Sequence, residues 1–500
     1  MSVSADLSAA SQPAPTTPST TPGTTRSHDW EAHLWAPLAG RKIICAFEVL
    51  AGMTGLVDSF KTWGAGELLL IADGVGAGPL PPDDAAEVIV LDSPAADSVT
   101  DQVRARLIPA QRLTHRVVEA VERFDPAGEA LWWLSAIPRN TPLLGRNVWG
   151  GRPPHQVALE DKLMVDSLLA DIDAPRMATL NARATYGDLA RATERLLAST
   201  GAAGAVWAGD SRDGINGGAD YVRWICTPEQ AREAAAFFAR HCDQVRVSPF
   251  LEGVPCSVHG IVLPDGVVVL RPVELAVLRD VSRGRFVYAG MGTTWDPPPN
   301  DTQAMRELAR SFGLSLQDRH GYRGGFGLDG VLTTDGFRVT ELNPRLSGGL
   351  SRLARAAPSA QLDLVHLNAL VGRDVGRPAA EIEALALKEL EARRFQEAAG
   401  SSPTVHTTES ETVSVSIVSG RLLELPDGAA TAALGSILRG PSSVGTFVRL
   451  APSTVGAPGE LSQPSPDRAA DLAVMLLDFA DRAWNTQFGE LTAAPDVAFR

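Results

Sequence analysis

The chain is short of cysteine, of long apolar runs and of basic charge, and each shortage excludes something. Its four cysteines, Cys45, Cys226, Cys242 and Cys256, are widely spaced with no metal-like pairing, so reduced and mostly buried thiols are expected. No window approaches the roughly 18 apolar residues that cross a bilayer, and the N-terminus lacks the basic start and apolar core of a signal peptide. A cytoplasmic protein with no membrane partner is therefore expected. A net charge of -14 leaves no basic field, which argues against nucleic acid as a partner. Internal repeats are missing as well. Lysine is scarce beside arginine, and between residues 62 and 387 the only one is Lys162.

What is present supports a large enzyme. Five hundred residues with 44% hydrophobic content can form two to four packed domains. Residues 1–28 are rich in Ser, Thr, Pro and Ala without apolar periodicity and read as a disordered tail, with order beginning near Trp30. Residues 29–146 hold three β-rich runs, at 43–47, 68–72 and 88–91, and a helix-like stretch at 97–124, the pattern of a parallel α/β layer. Residues 147–375 form a second unit, with a subdomain at about 175–250, helices over 158–172 and 178–200, and strands at 205–207, 257–263 and 266–270. Residues 376–500 read as a smaller α+β region: a helix over 380–399, a Gly/Pro-punctuated β region at 410–450 and a last helix over 467–484.

The most informative stretch is Gly324–Val331 followed by Thr340–Gly349. Alternation in Phe337–Leu342 predicts a strand, and Thr334-Asp335-Gly336 a turn, so Asp329 and Glu341 can stand side by side on an antiparallel pair with Asn343 and Arg345 just beyond. Oxygen donors of this kind suit Mg²⁺, which takes one or two carboxylates plus substrate phosphates. On these residues the chain resembles the ATP-grasp superfamily of carboxylate-amine ligases. The resemblance implies an ATP-grasp fold preceded by a Rossmann-like pre-ATP-grasp α/β domain, with ATP and Mg²⁺ as cofactors. It also implies that Asp329, Glu341 and Asn343 hold the metal and that Arg345 stabilises a reacting acyl phosphate.

Upstream segments fall in the family's order. Lys162 stands where the first nucleotide-binding lysine is expected. The family's second lysine, on a strand before a glycine-rich loop, is missing from Gly204–Asp210, so the resemblance leaves Arg212 or Arg223 to supply the charge. In the loop that follows, Ser211, Gly214, Gly217 and Gly218 would let backbone N–H groups approach phosphates. Val247–Gly253 resembles the adenine-binding linker, which assigns nucleotide contacts to Phe250, Leu251 and Glu252, although the usual glutamate near Ser248 is missing. Arg271, Glu274 and Arg323 are candidates for holding substrate carboxylate and ammonium groups, with an ordinary structural ion pair as the rival reading for Arg271 and Glu274 and a purely structural role for Arg323 as well. His259, on an apolar strand, reads as a core histidine.

Family members with this architecture often join amino acids or short peptides in specialised metabolism such as antibiotic biosynthesis. The expected function is therefore an amino-acid or dipeptide ligase that forms a peptide or γ-glutamyl bond and releases ADP and phosphate. Its partners would be free amino acids, with a homodimer left open. Two rivals stand beside it: a carboxylase-type ATP-grasp enzyme, although no biotin-type Met-Lys-Met occurs, and an inactive ATP-binding scaffold, which the missing lysine would suit.

Overall fold

In a computed structural model of the protein, the described residues are 22–496, apart from 92–95, 97, 99, 103, 105–112, 135–137, 211, 213–216, 218, 427–432 and 453–465. The side chains of residues 22–28, Phe47 and Glu48 are likewise outside the description. Most of the tail expected at 1–28 falls outside it too, as do 97, 99, 103 and 105–112 of the helix expected at 97–124, which is seen as a helix over His115–Phe124. The protein is a mixed α/β structure whose described strands form three sheets.

The first sheet is parallel, in the order β3-β2-β1-β4-β5, from β1 (Ile43–Val49), β2 (Leu68–Gly74), β3 (Glu87–Val90), β4 (Leu131–Trp133) and β5 (Val148–Trp149). The uninterrupted apolar runs of β1 and β2 suit burial on both faces. Helix α1 (Pro22–Trp35) begins earlier than the expected start at Trp30, and Trp30 is buried and donates its indole N–H to Val375 O at 2.7 Å. Helices α2 (Leu50–Thr62) and α3 (His115–Phe124) pack on this sheet through Val57, Phe60, Val117 and Val121.

The second sheet is antiparallel, in the order β6-β9-β7-β8, from β6 (Leu180–Arg183), β7 (Ala205–Gly209), β8 (Val222–Ile225) and β9 (Gln244–Pro249). The helix expected over 158–172 is broken into short turns, of which α4 (Val165–Ala170) is the longest. The one expected over 178–200 is the strand β6 followed by α5 (Tyr186–Thr200), because the Thr185 side chain accepts the Asp188 N–H and starts the helix there. Helix α6 (Pro228–His241) opens with a full capping box between Thr227 and Gln230.

The third sheet has eleven strands: β10 (Val254–Leu263), β11 (Gly266–Val269), β12 (Val273–Asp280), β13 (Arg285–Gly292), β14 (Gly324–Thr333), β15 (Gly336–Asn343), β16 (Gln396–Ser402), β17 (Glu411–Val418), β18 (Arg421–Glu424), β19 (Gly435–Ser442) and β20 (Gly445–Pro452). Its order is β15-β14-β10-β12-β13-β16-β20-β19-β17-β18, with β11 paired to β10. Around it lie α7 (Pro299–His320), α8 (Gly348–Ala356), α9 (Leu362–Leu370), α10 (Ala379–Ala392) and α11 (Ala469–Trp484). The helix expected over 380–399 ends at Ala392, and its last residues enter the sheet as β16, where Met291 and Glu397 face each other across β13. Among the described residues no helix is long and apolar enough to cross a membrane.

His366 ties α9 to this sheet. Its buried ring accepts the Gly325 N–H at Nδ1, 2.8 Å away. Burial, assisted by the Arg152 charge, depresses its pKa to about 3. A histidine held neutral in the fold but free to protonate near 6.5 when unfolded stabilises the protein fully above that pH, and the contribution fades as pH falls toward 3. His366→Gln should therefore flatten the loss of unfolding free energy between pH 6.5 and 5 by up to about 1.4 kcal/mol per pH unit. Urea denaturation at several pH values measures this, and parallel curves for the two proteins would refute a neutral His366.

Candidate active site

The two-residue turn at Thr334-Asp335 brings β14 and β15 together so that Asp329 lies opposite Glu341 and Gly327 opposite Asn343. A bulge follows immediately, and the Thr340 hydroxyl caps it by donating to Asp329 O at 3.1 Å. Such an extra residue bends the strand and re-aims its neighbours. On the other side of β14, Ser257 is opposite Asp329 and His259 opposite Gly327. Because side chains alternate, Ser257, His259, Asp329, Glu341 and Asn343 all rise from one face of the sheet.

That face is strongly charged. Burial and the neighbouring Glu341 charge raise the Asp329 carboxyl to about 6. Lys162 Nζ reaches Glu341 Oε1 at 2.6 Å. Asn343 donates from Nδ2 to Asp329 Oδ2 at 2.9 Å and accepts from Arg345 Nη2 at 3.0 Å. Arg345 in turn donates from Nε to Glu160 Oε1 at 2.7 Å, and Arg152 donates to Glu160 Oε2 at 2.8 Å. Burial alone would raise Glu160, but the Arg345 and Arg152 charges override it and hold the carboxyl at about 2. Glu160 therefore anchors the proposed oxyanion-stabilising arginine. Sequence reasoning passed over this role although Glu160 stands two residues before Lys162.

These groups fit a hard divalent cation. Two carboxylates face each other, and burial first, then the Glu341 charge, disfavours the ionised form of Asp329. Among the described residues no cluster of three His, Cys, Asp or Glu side chains could form a closed cage, and Mg²⁺ does not need one, since it keeps water or phosphate oxygens in its shell. Asn343 presents its nitrogen to Asp329, so its oxygen joins such a site only after the amide turns over. His259 is 2% exposed, and burial pushes its pKa down to about 4. A Cβ on Gly349 would meet its Nε2 at 2.7 Å, so the imidazole lies under the start of α8 as a core residue.

The second sheet changes the expectations for nucleotide contacts. Arg212 is drawn away from the β7 strand by Asp243 Oδ1 at 2.6 Å and by the carbonyls of Arg240 and Cys242 at the end of α6. Arg223 is 5% exposed, with its guanidinium 4.3 Å from the Phe237 ring centroid. Arg223 lies opposite Trp207, which packs against Phe238 of α6, so both face the helices. The face turned away from the helices does carry a cation, Arg246, which lies opposite Ala208 on β9 and was missed. It forms a bidentate pair with Asp166 of α4 at 2.7 and 2.9 Å. Of the loop glycines, Gly217 is described, and both its N–H and its carbonyl bond to the Thr100 hydroxyl. Ser211, Gly214 and Gly218 lie outside the described residues.

In the linker, the Phe250 N–H is taken by Gly204 O at 2.8 Å, and the Phe250 ring stacks on Trp224 with centroids 4.5 Å apart. Leu251 follows, half-buried, and Glu252 pairs with Arg279 at 2.9 Å. Three substrate candidates are displaced from the site. Glu274 points to the opposite face of β12 from Val273, which is the residue paired with Ser257; it is wholly buried, holding Arg468 at 2.6 Å and the Ala469 N–H at 2.7 Å. Arg271 is held by Asp296 and by Glu391, the latter at 3.2 Å. Arg323 is exposed, one residue before β14 and six before Asp329, about 20 Å along an extended strand. The strand alternation that places Glu274 on the far face was available in the sequence.

Comparison with known proteins bears on this region. Residues 225–349 match the ATP-grasp domain family, a span that includes Asp329, Glu341, Asn343 and Arg345 but not Lys162. No curated protein matches the chain in sequence. Among solved structures, the carboxyaminoimidazole ribonucleotide synthase of Aspergillus clavatus complexed with ATP is 12% identical, with a TM-score of 0.48 over 91% of this chain and 99% of that one. The phosphoribosylamine–glycine ligase of Thermotoga maritima is 14% identical, with a TM-score of 0.48 over 87% and 96%. The L-amino acid ligase of Bacillus licheniformis is 13% identical, with a TM-score of 0.45 over 83% and 94%. With the Asp329–Glu341 hairpin inside the matched span, residues 225–349 of the chain carry an ATP-grasp domain.

Proposed function

We propose that the protein is an ATP-dependent, ADP-forming ligase that joins the carboxylate of one amino acid to the amine of another. The observation that carries this reading is the convergence of Asp329, Glu341, Lys162 and Arg345 on one face of the third sheet. A carboxylate is a poor acyl donor at neutral pH, and transfer of the ATP γ-phosphoryl group to its oxygen supplies the leaving group. Asp329 and Glu341 would hold Mg²⁺, which when bound would supply positive charge for the phosphoryl group being transferred. Lys162, which balances Glu341 without nucleotide, is the cation positioned to turn toward phosphate oxygens. Arg345, fixed by Glu160, stabilises the oxyanion as the amine attacks. Loss of phosphate leaves the amide, and Arg246 supplies positive charge on the second sheet's inner face where a lysine is missing.

Two substitutions test the machinery. Glu341→Ala should abolish ADP release and the Mg²⁺ dependence of nucleotide binding while the circular dichroism spectrum stays unchanged; near-normal turnover would remove the metal assignment. Lys162→Ala should weaken ATP binding by about 1.5–3 kcal/mol, the loss of one charge-assisted hydrogen bond. Calorimetric titration reads this directly, and equal affinity would exclude Lys162 from the phosphates.

The substrate class is tested by incubating enzyme, ATP and Mg²⁺ with pooled amino acids. ADP should form only when amino acids are present, together with products lighter by one water than the sum of two amino acids. Glutamate is the first donor to try, as a route to γ-glutamyl products. Stimulation by bicarbonate or simple amines without any condensation product would overturn the amino-acid reading and leave the superfamily assignment intact.

A further inference from the structure

The face that carries Asp329 does not end at the hairpin. Register carries it across the sheet from Ser257 to Val273, then along β12 to Leu275 and Val277, which lie opposite Met291 and Tyr288 of β13. Met291 lies opposite Glu397 of β16, and Ala399, on the same side of β16 as Glu397, lies opposite Arg449 of β20. Helix α8 covers this extension, since a Cβ on Gly349 would lie 3.5 Å from Met291 Sδ. Leu350, Leu353 and Ala354 turn into the core, which leaves Arg352 and Arg355 on the other side of the helix.

The Arg352, Arg355 and Arg449 guanidiniums therefore lie within electrostatic range of one another at the far end of this face. Arg352 is committed to Glu397, through Nε at 2.9 Å and Nη2. Among the described residues, Arg355 and Arg449 make no hydrogen bond or ion pair. Like charges at i and i+3 repel, and Arg355 has its ionised form weakened by burial first and then by the Arg352 charge, while the Glu397 and Asp363 carboxylates favour it and the Arg449 charge again opposes it. Arg355 is solvent-exposed near the end of α8. Tyr288, 43% exposed, stands between this group and Asp329. The carboxyl beside Arg355, Asp363, leaves its buried Oδ1 without a partner, and burial raises its pKa to about 6.

We propose that Arg355 and Arg449, with Arg352 beside them, form a subsite for an oxyanion carried by one substrate at the end remote from its reacting group. Guanidinium forks match carboxylate and phosphate oxygens in pairs. Gly348, next to the metal-binding hairpin, is seven residues from Arg355, about 10 Å along the helix axis. A linear substrate with its reacting group near Arg345 and a second acidic group several bonds away spans that length. The subsite rests on the ligase reading for its orientation, but its charge recognition can be measured separately.

The test uses the full chain saturated with Mg²⁺ and a non-hydrolysable ATP analogue, so that the nucleotide phosphates are occupied, and titrates glutarate and inorganic phosphate calorimetrically. At least one probe should bind the unsubstituted protein, glutarate marking a carboxylate and phosphate a phosphoryl group. Arg355→Ala and Arg449→Ala should each weaken that binding tenfold or more, with Arg355→Lys intermediate because it keeps charge but loses the fork. No binding of either probe to the unsubstituted protein, or equal binding by Arg355→Lys and Arg449→Ala, overturns the subsite. Affinity for the ATP analogue, read in the same samples, separates the two proposals: its absence from the unsubstituted protein refutes the ligase reading, whereas its retention with unchanged anion binding refutes only the subsite.

Discussion

The site depends on the Glu160 carboxylate lying between Arg152 and Arg345. Three charges in a crowded place are stable only together, because removing one partner leaves the others desolvated and uncompensated, typically a loss of about 3–5 kcal/mol. Glu160 comes from the segment entering the second sheet, Arg345 from the loop leaving the hairpin, and Arg152 from the chain following β5, where it also reaches Pro344 O at 3.4 Å. The triad thus fixes the loop after Asn343 against the approach to Lys162. Arg345 then holds the Asn343 amide, and Asn343 holds Asp329, so a single chain of charge-assisted contacts sets the geometry of the whole carboxylate face.

That face is electrostatically incomplete. Asp329 and Glu341 have one lysine, Lys162, close enough to pair, and Asp329 remains the group whose charge is disfavoured. A stable fold rarely retains two carboxylates side by side without a compensating cation, and perturbed groups of this kind cluster where proteins act on ligands. On the proposed function, Lys162 and a metal ion would be alternative partners for Glu341, which would couple nucleotide and metal binding through one carboxylate.

Much of this was legible before any coordinates. Turn chemistry at Thr334-Asp335-Gly336 and alternation in β15 placed Asp329 opposite Glu341 correctly, because strand register follows from local pattern. The misreadings came where pattern is ambiguous. The residues around 158–172 carry apolar spacing suited to a helix, yet their groups are used for the Glu160 and Lys162 contacts, and the chain breaks into short turns. At 380–399 the alanine- and glutamate-rich helix runs directly into β16, since pairing with β13 overrides propensity. Arg212 and Arg223 carry the right charge in the right segment, but which face of a strand or which helix end takes a guanidinium is decided by long-range partners such as Asp243 and Phe237. The same holds for Arg271, whose partners Asp296 and Glu391 are distant in sequence.

Arg246 shows how a missing residue can be compensated from a neighbouring strand. In an antiparallel pair, residues directly opposite share a face with Cβ atoms about 5 Å apart, so a long side chain opposite Ala208 reaches nearly the same volume as one on β7. The motif is lost from the linear sequence while the charge is kept in space. In this structure Asp166 holds Arg246 and orients its fork, and since Asp166 lies four residues beyond Lys162, the two cations proposed to meet the nucleotide are tied to one short stretch of chain. That stretch packs with the third sheet, where Val165, Leu168 and Leu169 share a core with Val254, Cys256 and Leu328, so the Asp166–Arg246 pair links the second sheet to the third.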